Sequence, residues 1–130
     1  LEMLRGIAAR LSGLAPEAVR AANEKMVARV RELLAGAAPD ESRLLTECAV
    51  FADKTDVTEE LVRLSSHFGQ FETMLAEDAP VGRKCDFLVQ EINREVNTIG
   101  SKCCGSEMTN LVIAAKSEIE KIREQIQNLE

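Results

Sequence analysis

Two acidic residues one helical turn apart form the first pattern with chemical meaning. Glu91 and Glu95 stand at positions i and i+4 of a predicted helix, and Lys84 and Lys102 fall on the same flank, about two turns to either side. Like charges at this spacing destabilise a helix by a few tenths of a kcal/mol, and desolvation beside an apolar face adds to that. A divalent cation, Mg²⁺ or Mn²⁺, or a proton shared for acid–base chemistry would compensate the repulsion.

A solvated salt-bridge network explains the same spacing without any chemistry. In that interpretation Glu91 pairs with Arg94 or Lys84, and Glu95 pairs with Lys102. The spacing within one helix does not decide between the two interpretations, so both stay open here.

The only histidine lies on the flank of the preceding predicted helix. Glu60, Arg63 and His67 fall to one side of an apolar stripe that runs through the same segment. With a reference pKa of about 6.5, an imidazole can act as a base near neutral pH. A surface or core-edge histidine with no function is the alternative. The short break at 78–82 makes the two helices antiparallel neighbours, so their polar flanks are expected to face each other.

The elements that must position these residues are predicted to be helices only. Of 130 residues, 3% are aromatic, 45% are apolar and 29% are charged, with seven Gly and three Pro. This composition argues against a β-sandwich, a barrel or a disordered chain. We predict an all-α fold in which long antiparallel helices form a bundle.

Apolar spacing predicts which helix faces are buried. Pro16 suits the start of a helix that runs toward Gly36, and Asp40 suits the N-cap of the next one. Asp56 and Glu59, three residues apart, resemble a capping box at the start of the following helix. The buried face of the 81–102 helix is predicted to comprise Cys85, Leu88, Val89, Ile92, Val96 and Ile99. The last helix repeats apolar residues at steps of four and three, which is typical of a coiled-coil seam, at Met108, Val112, Ala115, Ile119, Ile122, Ile126 and Leu129.

Charge and cysteine content narrow the function classes. The net charge is −6, which makes bulk, non-specific affinity for nucleic acid unfavourable, so a polyanion would need a local basic site. No apolar run is long enough for a transmembrane helix. The four cysteines form no CxxC spacing, and reduced thiols in the cytosol are the simplest interpretation. Nucleotide-binding, zincin and serine-hydrolase motifs are absent from the sequence.

Three blocks of the sequence resemble the bacterial YicC/YloC family. They are residues 59–68, residues 81–102 (VGRKCDFLVQEINREVNTIGSK) and residues 116–130, and they occur in the family's order. The resemblance is strong over residues 40–130. Because the chain opens with Leu, we expect residues 1–39 to be a helical arm or linker from an absent N-terminal part, and residues 40–130 to be the family's C-terminal helical domain.

The resemblance implies a cytoplasmic, metal-dependent endoribonuclease that forms a ring-like homo-oligomer, for example a hexamer in the full-length form. The positions that match the family's motifs are Glu60, Arg63, His67, Arg83, Lys84, Asp86, Gln90, Glu91, Arg94, Glu95, Asn97, Thr98, Ser101 and Lys102. The resemblance does not identify which of these positions are catalytic, and the vicinal cysteines at 103 and 104 depart from the family's usual loop.

The leading hypothesis is therefore hydrolysis of RNA phosphodiester bonds. Glu91 and Glu95 would hold Mg²⁺ or Mn²⁺, and His67 would act as general base or acid. The RNA backbone would be bound by Arg63, Arg83, Lys84, Arg94 and Lys102. In an alternative mechanism without a metal, His67 deprotonates a 2′-hydroxyl of the RNA, which gives a cyclic phosphate product. The runner-up is a non-catalytic helical module that oligomerises through the last helix and binds RNA or a partner protein, and a plain structural bundle is the third hypothesis.

Overall fold

Five α-helices account for nearly all of the residues that the structure describes. A computed structural model describes residues 1–34, 40–76 and 82–128. No strand occurs in these ranges, so the predicted all-α class is confirmed. The helices are α1 (Glu2–Leu33), α2 (Glu41–Thr55), α3 (Thr58–Ala76), α4 (Gly82–Lys102) and α5 (Gly105–Asn128).

Four of the helices enclose the core. Helix α4 packs against α3 and α5, and α1 packs against α5 and α3, so that each of the four helices contacts two others. Helix α2 lies outside this ring and packs against α1. An open groove of about 840 Å³ runs between α1, the C-terminal end of α2 and the first half of α3.

The core follows the predicted apolar faces. All six residues expected on the buried face of α4 are buried, and Ile99 is fully inaccessible. On α5 the predicted seam is buried at Met108, Val112 and Ala115 and continues toward the C-terminus; its last member, Leu129, lies outside the described residues. The two helices approach closely at Gly100, where an added Cβ would stand 3.1 Å from Cγ1 of Val112.

Pro16 does not start a helix, contrary to the prediction. Helix α1 is continuous from Glu2 to Leu33 with Pro16 inside it. A proline interrupts one backbone hydrogen bond, here the bond to the Ser12 carbonyl, at a cost of about 3 kcal/mol. Packing of Leu4, Ile7 and Leu11 in the core stabilises the first turns strongly enough for the helix to pass through.

The predicted helix caps are confirmed in one case and altered in another. The Asp40 carboxylate accepts hydrogen bonds from the backbone N–H groups of Ser42 and Arg43. The Asp56 carboxylate accepts from the N–H and the hydroxyl of Thr58 rather than forming a box with Glu59. The sequence predicts a turn at 36–40 and a break at 78–82, of which residues 36–39 and 78–81 lie outside the described residues.

Two further predictions concern the whole chain. Within the described ranges, no helix is long and apolar enough to cross a membrane. The division into an arm (1–39) and a domain (40–130) stays a prediction. The structure adds that the first three turns of α1 share one core with α3, α4 and α5.

Core packing on α3 gives a matched pair of test variants. We expect Leu64→Ala to lower the free energy of unfolding by about 3 kcal/mol, because it leaves a cavity among buried side chains. Val62→Ala on the exposed side of the same helix should change it by less than about 0.5 kcal/mol. Urea denaturation measures both values, and equal losses would contradict the packing described here.

Candidate functional site

Two ion pairs join α3 to α4 on the polar flank of both helices. Lys102 Nζ lies 2.8 Å from Glu60 Oε1, and Arg63 Nε lies 2.9 Å from Glu95 Oε1. Lys102 also donates to the carbonyl of Asp56, 3.2 Å away, just before α3 begins. We call Glu60, Arg63, Glu95 and Lys102 the interhelical cluster.

The carboxylates of the interhelical cluster are buried and the cations reach solvent. Glu60 is 3% exposed and Glu95 is 6% exposed. The side chains of Arg63 and Lys102 are 47% and 31% exposed. Each long basic side chain therefore lies over a buried carboxylate while its stem covers apolar surface.

The environment shifts the pKa of three members. Burial raises the pKa of Glu60, but the hydrogen bond from Lys102, a backbone hydrogen bond and the charges of Lys102 and Arg63 together hold it below its usual range. The pKa of Arg63 is raised, mainly by its hydrogen bond to Glu95. The pKa of Lys102 is raised, mainly by its hydrogen bond to Glu60.

The predicted acidic pair is divided between two environments. Glu95 belongs to the interhelical cluster, and its partner is Arg63 rather than the predicted Lys102. Glu91 is half-buried and lies 4.0 Å from Arg94, which is one of the predicted pairs. The repulsion inferred from the spacing is thus relieved at Glu95 by a cation from another helix, which spacing within α4 could not reveal.

His67 lies on the same flank, one turn beyond Arg63. The contacts from position 60 to 102 and from 63 to 95 set an antiparallel register that places position 67 opposite the turn of Glu91. Among the described residues, His67 Nδ1 and Glu60 Oε2 are buried polar atoms without a hydrogen-bond partner. Buried polar atoms are normally paired, so both atoms have spare hydrogen-bonding capacity at this helix interface.

The donor set on this flank does not fit a divalent cation held by one chain. In residues 1–34, 40–76 and 82–128, no three His, Cys, Asp or Glu side chains are grouped closely enough to hold a metal. Mg²⁺ and Mn²⁺ need several oxygen ligands, and Glu95 is already neutralised by Arg63. We therefore assign no chemical step to a metal, and the Mg²⁺ or Mn²⁺ site at Glu91 and Glu95 stays a prediction.

The five predicted RNA-binding cations separate into two groups. Arg63 lies within 3.6 Å of Glu59, Glu60 and Glu95, so its charge is largely offset. Lys102 is held by Glu60. Arg83 and Arg94 are exposed on the outer side of α4, Lys84 is exposed on the flank of Glu91 and Glu95, and these three are the cations best placed to meet a polyanion.

Glu60 is the residue whose importance the sequence did not reveal. It matched a family position and shared the flank of His67, but no chemistry or contact was assigned to it. Its burial next to two cations follows from the register of α3 against α4, which becomes visible only when both helices are placed.

The fold and the interhelical cluster define an all-α domain with a four-helix core and buried charge pairs between two of its helices. Residues 11–130 match the family described as "Endoribonuclease YicC-like, C-terminal". The chain belongs to this family, which confirms the resemblance drawn from the three sequence blocks.

Two curated relatives, both from bacteria, carry the name "Probable endoribonuclease YicC". The protein from Clostridioides difficile (strain 630) is 55% identical over 108 residues, which are 82% of this chain and 37% of the relative. The protein from Haemophilus influenzae (strain ATCC 51907 / DSM 11121 / KW20 / Rd) is 44% identical over 91 residues, which are 70% of this chain and 32% of the relative. The matched part thus spans about a third of each relative's length.

Removing one partner of the interhelical cluster tests its stabilising role. We expect Lys102→Met to lower the free energy of unfolding at pH 7 by about 2 kcal/mol, because it leaves the Glu60 carboxylate buried with only Arg63 nearby. Lys121→Met, which breaks an exposed pair with Glu118, should cost less than about 1 kcal/mol.

The pH dependence of the same pair of proteins gives the control. Folding lowers the pKa of Glu60, so its ionised carboxylate stabilises the folded protein. This contribution to the free energy of unfolding is complete above about pH 4.3, the usual pKa of Glu, and is lost as the pH falls through the lower pKa that Glu60 has in the folded protein. The stability difference between the wild-type protein and Lys102→Met should therefore shrink below about pH 4. A difference that is constant from pH 7 to pH 3 would contradict the ion pair as its source.

Proposed function

We propose that the whole protein to which this domain belongs is an endoribonuclease, and that the α3–α4 flank takes part in RNA cleavage. Support comes from the family and from the names of the two relatives. The observation that carries the proposal is the position of His67, one turn beyond Arg63 on the flank where α3 meets α4.

The reaction that suits this flank is transesterification within RNA. His67 accepts the proton of a 2′-hydroxyl, and the 2′-oxygen forms a bond to the adjacent phosphorus. The bond from phosphorus to the 5′-oxygen of the next nucleotide breaks, and that oxygen takes up a proton from water. The products are a 2′,3′-cyclic phosphate and a 5′-hydroxyl. Arg83, Lys84 and Arg94 bind phosphates of the RNA backbone, since their side chains are exposed.

Substitution of the base tests this mechanism in the whole protein. We expect His67→Gln to lower the rate of RNA cleavage by about 10²- to 10⁴-fold, the usual contribution of a general base. Ser66→Ala, at the exposed neighbouring position, should keep the wild-type rate. Chemical analysis of the product ends should find the cyclic phosphate. Circular dichroism should show that both variants are folded. If His67→Gln then cleaves RNA at the wild-type rate, His67 is not the general base.

Metal dependence is a separate part of the proposal, and two variants test it. Glu95→Gln should lower the free energy of unfolding by about 2 kcal/mol, because it removes the charge that faces Arg63. Glu91→Gln should leave stability within about 0.5 kcal/mol, because its pair with Arg94 is long and solvated. If Glu91 contributes to a Mn²⁺ site completed from outside this chain, Glu91→Gln also raises the Mn²⁺ concentration needed for half-maximal cleavage. An unchanged Mn²⁺ requirement in both variants would exclude the predicted metal role.

A second candidate function is a non-catalytic helical module that binds RNA or a partner protein. The interhelical cluster favours it, because Arg63, Glu95 and Lys102 are engaged in ion pairs that stabilise the helix contact. RNA binding by the whole protein without cleavage would support this candidate over the endoribonuclease. Assembly into a homo-oligomer and a cytoplasmic location belong to either proposal as predictions.

A further inference from the structure

Phe87 places an aromatic ring on the outer surface of α4. It is 60% exposed, whereas Phe68 and Phe71 are buried and Phe51 is half-buried. The chain has four Phe and no Tyr or Trp, and all four lie in the described ranges. Exposure of an aromatic ring is therefore confined to this one position.

Basic residues stand on both sides of the ring along the same helix face. Arg83 lies one turn before Phe87, about 6 Å along the axis, and Arg94 lies two turns after it, about 10 Å along the axis. At 100° per residue, both fall within about 40° of the direction of Phe87. Both side chains are exposed, and the 4.0 Å contact from Arg94 to Glu91 is too long and solvated to occupy the guanidinium.

The surroundings of the ring are polar rather than apolar. The residues one turn away from Phe87 are Arg83, Lys84, Gln90 and Glu91. A protein-docking patch joins several apolar side chains into one surface, and these neighbours do not supply it. An aromatic ring flanked by cations is instead the arrangement that binds single-stranded nucleic acid, since the ring stacks on a base while the cations meet the phosphates.

We propose that Phe87 is a stacking platform for an unpaired base of RNA, with Arg83 and Arg94 binding phosphates on either side. This inference rests on the proposed function and specifies its substrate as single-stranded RNA. In duplex RNA the bases are stacked on each other and their faces are not available to the ring. Selection for unpaired RNA thus follows from one side chain.

A single tryptophan introduced at this position reports the contact directly. Because the chain has no Trp, Phe87→Trp gives one fluorophore, and its emission should be quenched when oligo(U) stacks on it. Ile113→Trp is the matched control, since Ile113 is also 60% exposed but lies on α5. Fluorescence anisotropy of labelled oligo(U) measures binding by both proteins, and quenching is expected only for Phe87→Trp.

Removal of the ring tests its contribution to affinity. We expect Phe87→Leu to weaken binding of oligo(U) by about 5- to 100-fold, the effect of losing one stacked base, and to change the weak binding of a blunt RNA duplex little. Phe87→Tyr keeps an aromatic ring at this position and should bind oligo(U) about as tightly as the wild-type protein does. Urea denaturation should give equal stability for all three variants, because the position is exposed.

The outcomes separate this inference from the proposed function. Binding of oligo(U) without quenching at position 87 and without a loss in Phe87→Leu would overturn the stacking platform and leave RNA cleavage by the whole protein standing. Absence of oligo(U) binding also overturns it. A blue shift of the Phe87→Trp emission that grows with protein concentration in the absence of RNA would show that protein covers the ring, which overturns it as well. Cleavage of RNA by the wild-type whole protein decides the endoribonuclease independently, and His67→Gln tests the proposed base.

Discussion

The contact between α3 and α4 depends on two buried carboxylates, one on each helix. Each carboxylate is paired with a cation that comes from the other helix. Glu60 and Glu95 are nearly inaccessible, and a buried carboxylate without a partner would cost several kcal/mol. Lys102 and Arg63 remove that cost only when the helices keep one register and one separation. The apolar stripes bring α3 and α4 together, and these charge pairs restrict how the helices align along their length. The positions of His67, Glu91 and the outer face of α4 follow from that alignment.

Much of the fold could be predicted because helix faces repeat within a single element. The buried face of α4 and the seam of α5 follow from a 3.6-residue period, and Asp40 caps α2 through a bond to its own segment. The prediction of a helix start at Pro16 is wrong, because the local penalty of the proline does not interrupt a helix whose first turns are packed in the core. Local signals therefore succeed where the interaction lies within a segment, and fail where a distant contact decides.

The candidate site shows the same limit more clearly. The spacing within α4 indicates Glu91 and Glu95 as an unusual pair, but it is Glu95 that contacts α3, whereas Glu91 contacts Arg94 of its own helix. Spacing within α4 could not reveal the partners on α3, because Arg63 lies 32 residues from Glu95 and Glu60 lies 42 residues from Lys102 along the chain. The predicted pair of Glu95 with Lys102 would have to span two helical turns, and each residue has a nearer partner across the interface. Chemistry inferred from one helix therefore has to be revised when a second helix brings its own charges.

The length of helix α1 and the proline inside it together determine where this helix can bend. It extends for about 48 Å, and only its first turns contribute buried residues, while α2 packs along it outside the four-helix ring. Residues 56 and 57 join α2 directly to α3, so α2 is connected to the bundle at its C-terminal end as well as along α1. The carbonyl of Ser12 has no helical N–H from which to accept a hydrogen bond, because Pro16 lacks one. Helix α1 therefore bends most easily near this missing hydrogen bond. The point at which α1 bends most easily thus lies just outside the core, beyond the buried residues of its first three turns.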